Sequence, residues 1–501
     1  MNARCRTSSP VTGHCARPIV RTIIVKALSP VKTLNRQFIN GRIQESHGHD
    51  TQAVTSAVTG EQIAEGVLGD ATDANLAAEA AKQALPAWSA TTLDERREYL
   101  QKLADSFTGR REEMIAALVE EFGTTTATAA YIVDQSRDWF IYAQNILTEE
   151  TFVEQVGRAT VHKVPVGVAV LITPWNGASW FIAMKASVAL AAGCTVVVKP
   201  SERGFWQAQP VLDAFADAGL PDGVINLVFG RGEPVGNTLT SHPDVAKVSI
   251  TGSTATGKII AHNGVDTMKR VTLELGGKSP TVILDDADLS KAVPFAVRAG
   301  LFNNGQACIA GTRILIPHSR EQEIKQALAD AVTALKVGDP HDPDTVIGPV
   351  LDRDQYDRIQ HYIQAGIDEG GQVLAGGLGH PNGLDDGNYV RPTLLTATND
   401  QTIAREEIFG PVLAVITYRD EDDAVAIAND TPYGLHAYIA TSDVQRGQRV
   451  ARRIQAGRIM INEIVDAPDA PFGGFKQSGL GREFGRYGLE AFLETQAVFA
   501  S

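Results

Sequence analysis

The chain has 501 residues and a mass of 53.6 kDa, a length that favours two or three domains. Hydrophobic residues make up 44% of it and charged residues 21%, so it can bury a large core, and disordered and fibrous classes are excluded. The net charge is −14, and the first 44 residues hold eight basic residues and no acid, which leaves −22 on the remainder. That remainder lacks the basic face that a nucleic-acid partner requires.

Residues 1–36 form a basic, acid-free leader. This composition is typical of an organelle-targeting segment, but a disordered tail or an over-extended start is the simpler interpretation, and we expect disorder. Of the four cysteines, Cys5 and Cys15 lie in the leader, and the body keeps only Cys194 and Cys308, as in a reducing compartment. We therefore predict a cytoplasmic protein, with organelle import as the less favoured alternative.

After the leader the pattern is helical from Asp73 to about Leu147, with Asp73 as the expected cap of a helix that ends at Pro86. The longest uncharged stretch, 164–184, is interrupted by prolines, so it predicts a strand and a turn rather than a membrane span. Short apolar runs then alternate with helices, which is typical of buried parallel strands in an α/β fold. These runs are 168–172, 195–198, 224–228, 247–250, 271–273, 281–284 and 313–316. From about 320 to 460 the pattern continues with a helix over 321–337, a glycine-rich surface loop over 370–383, and strands over 412–417 and 458–461.

Two residues offer a nucleophile and a base. Cys308 follows Gly305 and Gln306. A cysteine is most often an inert buried residue, but this glycine and glutamine indicate an irregular backbone able to present a thiolate in an open, electropositive position. Glu274 follows the run 271–273 and precedes two glycines, at the kind of strand end where α/β proteins keep their sites. A solvated carboxylate in a turn is an equally good interpretation of Glu274.

Three further motifs follow predicted strands. Gly252 and Ser253 lead into a helix, the context of a phosphate cradle, although the spacing is not G-x-G-x-x-G and the signal alone is weak. Lys199 and Glu202 form either a polar exit loop or a holder for a ribose diol. Asn176 is either a turn former or a donor to a developing oxyanion.

Together these motifs resemble the NAD(P)-dependent aldehyde dehydrogenase superfamily. The resemblance runs from about Phe38 to the C-terminus, omits only the leader, and rests on seven motifs in the family's order. These are Pro174-Trp175-Asn176, Lys199-Pro200-Ser201-Glu202, Thr251-Gly252-Ser253-Thr254, Glu274-Leu275-Gly276-Gly277-Lys278, Gly305-Gln306-Ala307-Cys308, Glu406-Glu407-Ile408-Phe409-Gly410-Pro411 and Pro471-Phe472-Gly473-Gly474-Phe475-Lys476.

The resemblance implies a catalytic set of Cys308, Glu274 and Asn176. Cys308 would attack the aldehyde carbon, the Asn176 amide and the Cys308 backbone N–H would hold the oxyanion, and Glu274 would activate the water that hydrolyses the thioester. Lys185 and Glu483 match positions of a proton relay, with a structural ion pair as an equally good interpretation. A CoA-acylating enzyme is an alternative that Glu274 disfavours, and an inactive binding protein on the same fold is another.

The resemblance also implies the cofactor and pocket residues. NAD is the expected cofactor, because the Glu202 carboxylate would repel a 2′-phosphate, and NADP stays as an alternative; no metal site is expected. The cofactor contacts would come from Thr173, Trp175, Lys199, Glu202, Gly252, Ser253, Gly276, Glu407 and Phe409. The pocket wall would come from Gly177, Trp180, Phe181, Met184, Ala307 and Ile309, without a lysine or arginine to bind a substrate carboxylate. Such a wall favours a bulky hydrophobic or aromatic aldehyde. Asp466 and Asp469 are candidates for the substrate entrance.

The implied fold class is α/β with three parts. A doubly wound, Rossmann-like NAD-binding domain would take residues 37–148 and 166–275, and a second α/β catalytic domain residues 276–487. A small β oligomerisation flap would take 149–165, as a hairpin, and 488–501, with a strand at about 488–499. Because an exposed edge strand needs a partner, we predict a homodimer or homotetramer.

Overall fold

The computed structural model describes residues 31–500. Most of the predicted leader, residues 1–30, lies outside the described residues. The predicted boundary at residue 36 is wrong, because Lys32–Leu34 already forms a strand that pairs in parallel with Gln62–Val67. No helix in residues 31–500 is long and apolar enough to cross a membrane.

The strands and helices alternate along the described chain. The strands are β1 (Lys32–Leu34), β2 (Gln37–Ile39), β3 (Arg42–Gln44), β4 (Thr51–Thr55), β5 (Gln62–Val67), β6 (Val153–Val156), β7 (Ala159–Pro165), β8 (Val168–Thr173), β9 (Thr195–Pro200), β10 (Ile225–Leu227), β11 (Val245–Thr251), β12 (Arg270–Glu274), β13 (Pro280–Ile283), β14 (Arg313–Pro317), β15 (Val373–Ala375), β16 (Thr393–Thr396), β17 (Val412–Tyr418), β18 (His436–Ala440), β19 (Arg458–Ile461), β20 (Gly479–Leu480) and β21 (Leu493–Phe499). The α-helices are α1 (Ala71–Ser89), α2 (Leu93–Gly109), α3 (Arg111–Ala117), α4 (Thr126–Asn145), α5 (Glu149–Phe152), α6 (Ala178–Ala192), α7 (Gln209–Ala218), α8 (Asn237–Ser241), α9 (Thr254–Asn263), α10 (Leu289–Leu301), α11 (Glu321–Thr333), α12 (Arg353–Asp368), α13 (Thr402–Arg405), α14 (Glu421–Asn429), α15 (Val444–Ala451) and α16 (Gly485–Glu490).

Two large sheets form the cores of the molecule. One has eight strands in the order β20-β12-β11-β8-β9-β10-β2-β3, with β12 to β10 parallel and the remaining pairings antiparallel. The other has seven strands in the order β15-β16-β17-β14-β13-β18-β19, parallel except for β15. The non-sequential order is that of doubly wound α/β sheets, so the predicted fold class is confirmed.

A small antiparallel sheet of β21, β7 and β6 lies where the flap was predicted. The hairpin covers residues 153–165 rather than 149–165, because 149–152 form the short helix α5. The C-terminal strand begins at Leu493 rather than about 488, since α16 occupies 485–490. A further small sheet contains β1, β5 and β4.

The cap of α1 shows a local error in the sequence prediction. The N-cap is Asp70, whose side chain accepts from the backbone N–H of Thr72 and Asp73, and Asp73 in turn accepts from the N–H of Asp70 at 3.0 Å. This reciprocal capping box starts the helix before Asp73. The helix also continues past Pro86 to Ser89. Two other predictions are partly wrong. The helix predicted over 321–337 ends at residue 333 as α11, and part of the glycine-rich loop predicted over 370–383 forms the strand β15, which pairs with β16.

The helix that follows β8 is almost completely buried. Every residue of α6 except Trp180 is buried, and the helix packs against α4, β8 and β9. A helix that is apolar on all sides suits only the interior of a protein. It ends at Gly193, whose φ of +90° closes the last turn in the left-handed conformation. The helix therefore supplies a rigid base for the residues at its first turn.

Candidate active site

Four strands of the larger sheet end side by side at the edge where the motifs lie. β8 ends at Thr173, opposite Pro200 of β9, and β11 ends at Thr251, opposite Glu274 of β12. The carboxyl ends of parallel strands meet at one edge of a sheet, so the loops that follow these four strands converge. Motifs that are distant in sequence thus share one edge.

The loop that carries Cys308 has an unusual backbone. After α10, the turn Phe302–Gly305 holds Asn303, Asn304 and the glycine after them at φ of 56°, 59° and 71°. Left-handed residues other than glycine cost about 1–3 kcal/mol each, so the surroundings must hold them. Asn303 Nδ2 donates to the carbonyl oxygen of Asn176 at 3.3 Å, and Asn304 Nδ2 donates to two backbone carbonyl oxygens at 3.0 Å. The turn is therefore fixed by its own side chains.

The side-chain amide of Asn176 lies beside this loop. It is buried, and its Nδ2 donates to the carbonyl oxygen of Gln306 at 2.9 Å, two residues before Cys308. A primary amide nitrogen carries two hydrogens, so a second N–H can serve another acceptor. Asn176 and Cys308 line the same cavity, whose volume is about 420 Å³. The arrangement suits an amide donor that acts next to a thiol.

Most residues predicted for the pocket wall do line this cavity, namely Gly177, Trp180, Phe181, Ala307 and Ile309. Met184 does not, and the prediction for it is wrong. Its side chain is 2% exposed and belongs to the hydrophobic core, because α6 is buried on nearly all sides. Only the first turn of α6 reaches the cavity.

The cavity also contains charged residues that the sequence did not indicate. Arg298 and Arg458 line it, although no arginine or lysine was expected there. Asp466 lines it as predicted and accepts a hydrogen bond from the Tyr131 hydroxyl at 2.5 Å, whereas Asp469 is not part of the wall. Long-range packing decides which strands and loops of the seven-stranded sheet face Cys308. No local sequence pattern could therefore have placed the two arginines in the cavity.

Glu274 is buried near Cys308, and it is not among the residues that line the cavity. It is 2% exposed, and neither carboxylate oxygen has a hydrogen-bond partner among residues 31–500. Burial raises the pKa of Glu274 well above its ordinary value, and the neighbouring Glu483 raises it further against the opposing effect of Lys185. The glycines after Glu274 approach the nucleophile loop: a Cβ on Gly277 would lie 2.6 Å from the carbonyl oxygen of Cys308. The acid is thus close enough for its charge to reach the thiol, and its raised pKa favours the protonated form more than in an ordinary glutamate.

The predicted relay residues form a buried ion pair next to Glu274. Lys185 Nζ contacts Glu483 Oε1 and also donates to Ser249 Oγ at 3.1 Å. Ser249 donates to the same Glu483 oxygen at 3.0 Å, and the other oxygen of Glu483 is buried without a partner among the described residues. Both interpretations given for this pair, an ion pair and a proton path, are compatible with this geometry.

The thiol itself lies in an acidic environment. Burial raises the pKa of the Cys308 thiol to about 12, and the carboxylates of Glu407 and Glu274 contribute to the same shift. This raised pKa is the opposite of the lowered pKa that an electropositive position would give a thiol. The thiol is protonated at neutral pH, and attack by sulfur requires a proton acceptor close to it.

The polar residues predicted to hold a cofactor lie along the strand ends. Thr173 and Thr251 have buried hydroxyls without a partner in the described part of the chain. Lys199 is buried, and its Nζ donates to the Pro200 carbonyl oxygen at 3.2 Å and to Glu202 at 3.3 Å. Burial lowers the pKa of Lys199, which Glu202 partly opposes. Buried polar atoms without partners at this edge fit a dinucleotide.

Gly252 and Ser253 stand at the start of α9. The Ser253 side chain caps this helix by accepting from the backbone N–H of Thr256 at 3.1 Å. The free N–H groups of a helix N-terminus suit a phosphate group. The position therefore fits the pyrophosphate of a dinucleotide.

A second group of predicted cofactor residues packs around Glu407. Glu407 accepts from the backbone N–H of Gly277 at 3.0 Å, and burial raises its pKa to about 7. A Cβ on Gly276 would lie 2.3 Å from a Glu407 oxygen, so a side chain there would displace the Glu407 carboxylate. The Phe409 ring packs on Trp175 with 5.2 Å between centroids. The structure thus gathers these residues near Cys308.

A family model for aldehyde dehydrogenases matches residues 43–498. The chain belongs to the aldehyde dehydrogenase family. It is an oxidoreductase of that family, and the resemblance found in the sequence is confirmed.

Several solved aldehyde dehydrogenases share the fold. One is a cysteine-to-alanine mutant of aldehyde dehydrogenase C from Pseudomonas syringae, in complex with NAD+ and octanal, with 40% identity and a TM-score of 0.91 over 93% of this chain and 96% of that one. Another, from Bartonella henselae, has 36% identity and a TM-score of 0.91 over 94% and 100% of the two chains. Betaine aldehyde dehydrogenase from Staphylococcus aureus, in complex with NAD+, has 35% identity and a TM-score of 0.89 over 93% and 94%.

Proposed function

We propose that this protein oxidises an aldehyde to a carboxylic acid with NAD, through a thioester on Cys308. The observation that carries the proposal is that Cys308 and the Asn176 amide line one cavity and that the buried Glu274 is near enough for its charge to act on the thiol. The NAD complexes of the Pseudomonas syringae and Staphylococcus aureus aldehyde dehydrogenases support the choice of cofactor.

The first step is attack of Cys308 Sγ on the aldehyde carbon. The thiol must lose its proton, and Glu274 and Glu407 are the carboxylates whose charges reach it. Negative charge then develops on the aldehyde oxygen, where the second N–H of Asn176 and the backbone N–H of Cys308 can donate to it. A fixed donor of this kind stabilises the transition state by about 3 kcal/mol.

The second step separates oxidation from hydrolysis. NAD, when bound, accepts a hydride from the carbon attached to sulfur, which leaves a thioester on Cys308. Glu274 takes a proton from water, and the resulting hydroxide attacks the thioester and releases the acid. The proton can pass from Glu274 to the partnerless oxygen of Glu483, whose charge is held by Lys185. The ion pair thus keeps Glu274 able to act again as a base.

The cofactor would be held by the strand ends and the Glu407 group. Thr173, Gly252 and Ser253 would contact the phosphates, and Trp175 would lie beside them. Lys199 and Glu202 would contact the adenosine ribose. Gly276, Glu407 and Phe409 would bind the nicotinamide ribose. Glu202 favours NAD over NADP because its carboxylate accepts from two hydroxyls and repels a phosphate.

The wall of the cavity supports a bulky hydrophobic or aromatic aldehyde as substrate. Trp180 packs edge-on against Trp139 and Phe181, with ring centroids 5.7 and 4.8 Å apart. Aromatic walls bury large apolar groups and orient them through their edges and faces. The octanal complex of the Pseudomonas syringae enzyme is a precedent for an apolar chain.

The proposed function is tested by NADH formation from aromatic, aliphatic and terpenoid aldehydes and semialdehydes. We expect turnover without CoA, release of the carboxylic acid, and a higher kcat/KM with NAD than with NADP. A requirement for CoA would instead assign the acylating chemistry, and no NADH from any aldehyde would assign an inactive binding protein.

Replacement of Asn176 by alanine should slow acylation more than hydrolysis. We expect kcat/KM to fall by about 10²–10³-fold, because one oxyanion donor is lost. Asn176→Asp keeps the shape but removes the N–H donors, so it should be at least as slow. Pre-steady-state NADH formation measures acylation directly. An unchanged burst rate in both variants would contradict the role given to this amide.

We also propose that the small sheet mediates formation of a homodimer or homotetramer. Its outer strands expose large apolar side chains, with Phe499 75% exposed and Val156 53% exposed. Unpaired edge strands with apolar residues favour association with another chain. Size-exclusion chromatography with light scattering should give a dimer or a tetramer. Deletion of residues 493–499 should shift the population to monomer, and a monomeric full-length protein would refute this proposal.

A further inference from the structure

A histidine and an arginine lie side by side on one wall of the cavity. His436 and Arg458 are the first residues of β18 and β19, and they are direct partners in the parallel register of these strands. Paired residues of neighbouring strands have their side chains on the same face of the sheet. Both side chains line the cavity that holds Cys308. They form a polar patch, which we call the His436–Arg458 patch, on one wall.

His436 has no partner for its imidazole. It is 1% exposed, and neither ring nitrogen makes a hydrogen bond to any residue in 31–500. Its ring packs against Phe472 with 5.5 Å between centroids. Burial, with a smaller contribution from Arg458, lowers the pKa of His436 to about 3, so the ring is neutral and has one N–H to donate. A buried donor without a partner destabilises the protein, and a bound ligand that accepts from it removes this cost.

Arg458 is a half-buried cation without an ion pair. Its guanidinium carbon lies 5.7 Å from the centroid of the Phe472 ring and 5.2 Å from that of Phe484. Nη2 donates to the carbonyl oxygens of Ala467 and Ala470 at 2.6 and 3.4 Å. Within the described residues, no carboxylate lies within salt-bridge distance of it, and Nε and Nη1 make no hydrogen bond. The guanidinium is held in place with donors to spare.

A planar guanidinium with free donors matches the geometry of a carboxylate better than any neutral group. The neutral His436 beside it can add one N–H. Asp466 lines the same cavity and its charge reaches Arg458, but this carboxylate accepts a hydrogen bond from the Tyr131 hydroxyl. A second, anionic group on the substrate would therefore find two donors in a partly desolvated setting. The apolar walls would cover the carbon skeleton that joins this group to the aldehyde.

We propose that the preferred substrate is an aldehyde that also carries a carboxylate, and that Arg458 and His436 bind this carboxylate. The inference rests on the proposed function and names the substrate class of the same site. Arg458 is a specificity-determining residue: it contacts the substrate but takes no part in the transfer of a proton or a hydride.

The test compares aldehydes of equal length with and without the carboxylate. The pairs are hexanal and 6-oxohexanoate, octanal and 8-oxooctanoate, and benzaldehyde and 4-formylbenzoate. For at least one pair the oxo acid should have the higher kcat/KM by about tenfold or more, mainly through KM, as expected for a charged hydrogen-bonded pair. Arg458→Met should lower kcat/KM for that acid by about 10²-fold and change the neutral aldehyde by less than about threefold.

Two further variants calibrate the effect. His436→Phe removes one neutral donor and should lower kcat/KM for the acid by about five- to tenfold. Arg452→Met removes the same charge from an exposed position outside the cavity and should leave both substrates unchanged. If Arg458→Met does not fold, competition in the unmodified enzyme decides: suberate should compete with octanal, whereas 1,8-octanediol should not.

The outcomes separate the two proposals. No NADH from any aldehyde overturns the proposed function. Turnover of neutral aldehydes with an equal or lower kcat/KM for every oxo acid overturns the carboxylate proposal alone. Equal losses for acid and neutral substrates in Arg458→Met, or suberate that fails to compete, overturn it as well.

Discussion

Replacing Cys308 by alanine should abolish turnover, with a loss of at least about 10⁴-fold in kcat. The reason is that both chemical steps occur on the sulfur atom, so neither an alternative nucleophile nor direct attack by water can substitute for it. The measurement is NADH formation at saturating aldehyde and NAD, together with the NADH burst in a stopped-flow instrument. Both signals should disappear.

Cys194→Ala is the matched control for this variant. Cys194 is the other free cysteine in the described chain; it is fully buried, and its pKa is raised to about 11 by burial. Its replacement removes a core thiol outside the cavity, so activity should stay within about threefold of the unmodified enzyme. Retained turnover in Cys308→Ala, or loss of it only in Cys194→Ala, would refute the assignment of the nucleophile.

Replacing Glu274 by glutamine should separate the two halves of the reaction. Oxidation needs the thiol, the cofactor and an acceptor for the thiol proton. Glu407 remains as that acceptor in this variant, so a burst of one NADH per active site should persist. Hydrolysis needs the base, so steady-state turnover should fall by about 10²–10⁴-fold. Glu406→Gln is the control, because Glu406 lies near the site, accepts from Tyr362 at 2.7 Å and has no role in the proposed mechanism.

The pH dependence provides a second measurement on Glu274. Burial and Glu483 raise the pKa of Glu274, so its acid form persists to higher pH than that of an ordinary glutamate. The base form, which hydrolysis uses, therefore increases as pH rises through this pKa. Steady-state turnover should rise with pH in the unmodified enzyme and lose that rise in Glu274→Gln. A complete loss of the burst in this variant, or an unchanged steady state, would contradict hydrolysis by Glu274.

The sequence predicts nine of the fifteen strands of the two large sheets, because their apolar runs are continuous. It misses β2, β3, β15, β16, β18 and β20. It fails where the outcome depends on a few competing polar contacts. Asp73 and Asp70 are both good caps, and the choice follows from their reciprocal bonds, which place the start of α1 before Asp73. Met184 has the composition of a wall residue, but the packing of α6 directs it into the core.

The proposed catalytic residues could be named from the sequence because their motifs resemble those of a known family, and each of these residues also stands next to a strand end or an irregular turn. Arg458 and His436 could not be predicted as site residues, because in the sequence each is only the first residue of a strand. They become neighbours through the pairing of β18 with β19. The acidic surroundings of Cys308 were missed for a similar reason. Glu407 approaches the thiol from a distant segment, and only the folded chain reveals its charge.

The left-handed turn before the nucleophile has a consequence for how activity is acquired. Asn303 and Asn304 keep their conformations only while their side chains bond to Asn176 and to carbonyl oxygens of Gly123 and Pro349. These acceptors come from segments far apart in the chain. The turn is therefore not held in its left-handed conformation until all of these segments have packed against it. Helices and sheets can therefore mature earlier than the reactive centre. A partly folded molecule would carry an unreactive Cys308 thiol, and enzymatic activity would appear only once the tertiary structure is complete.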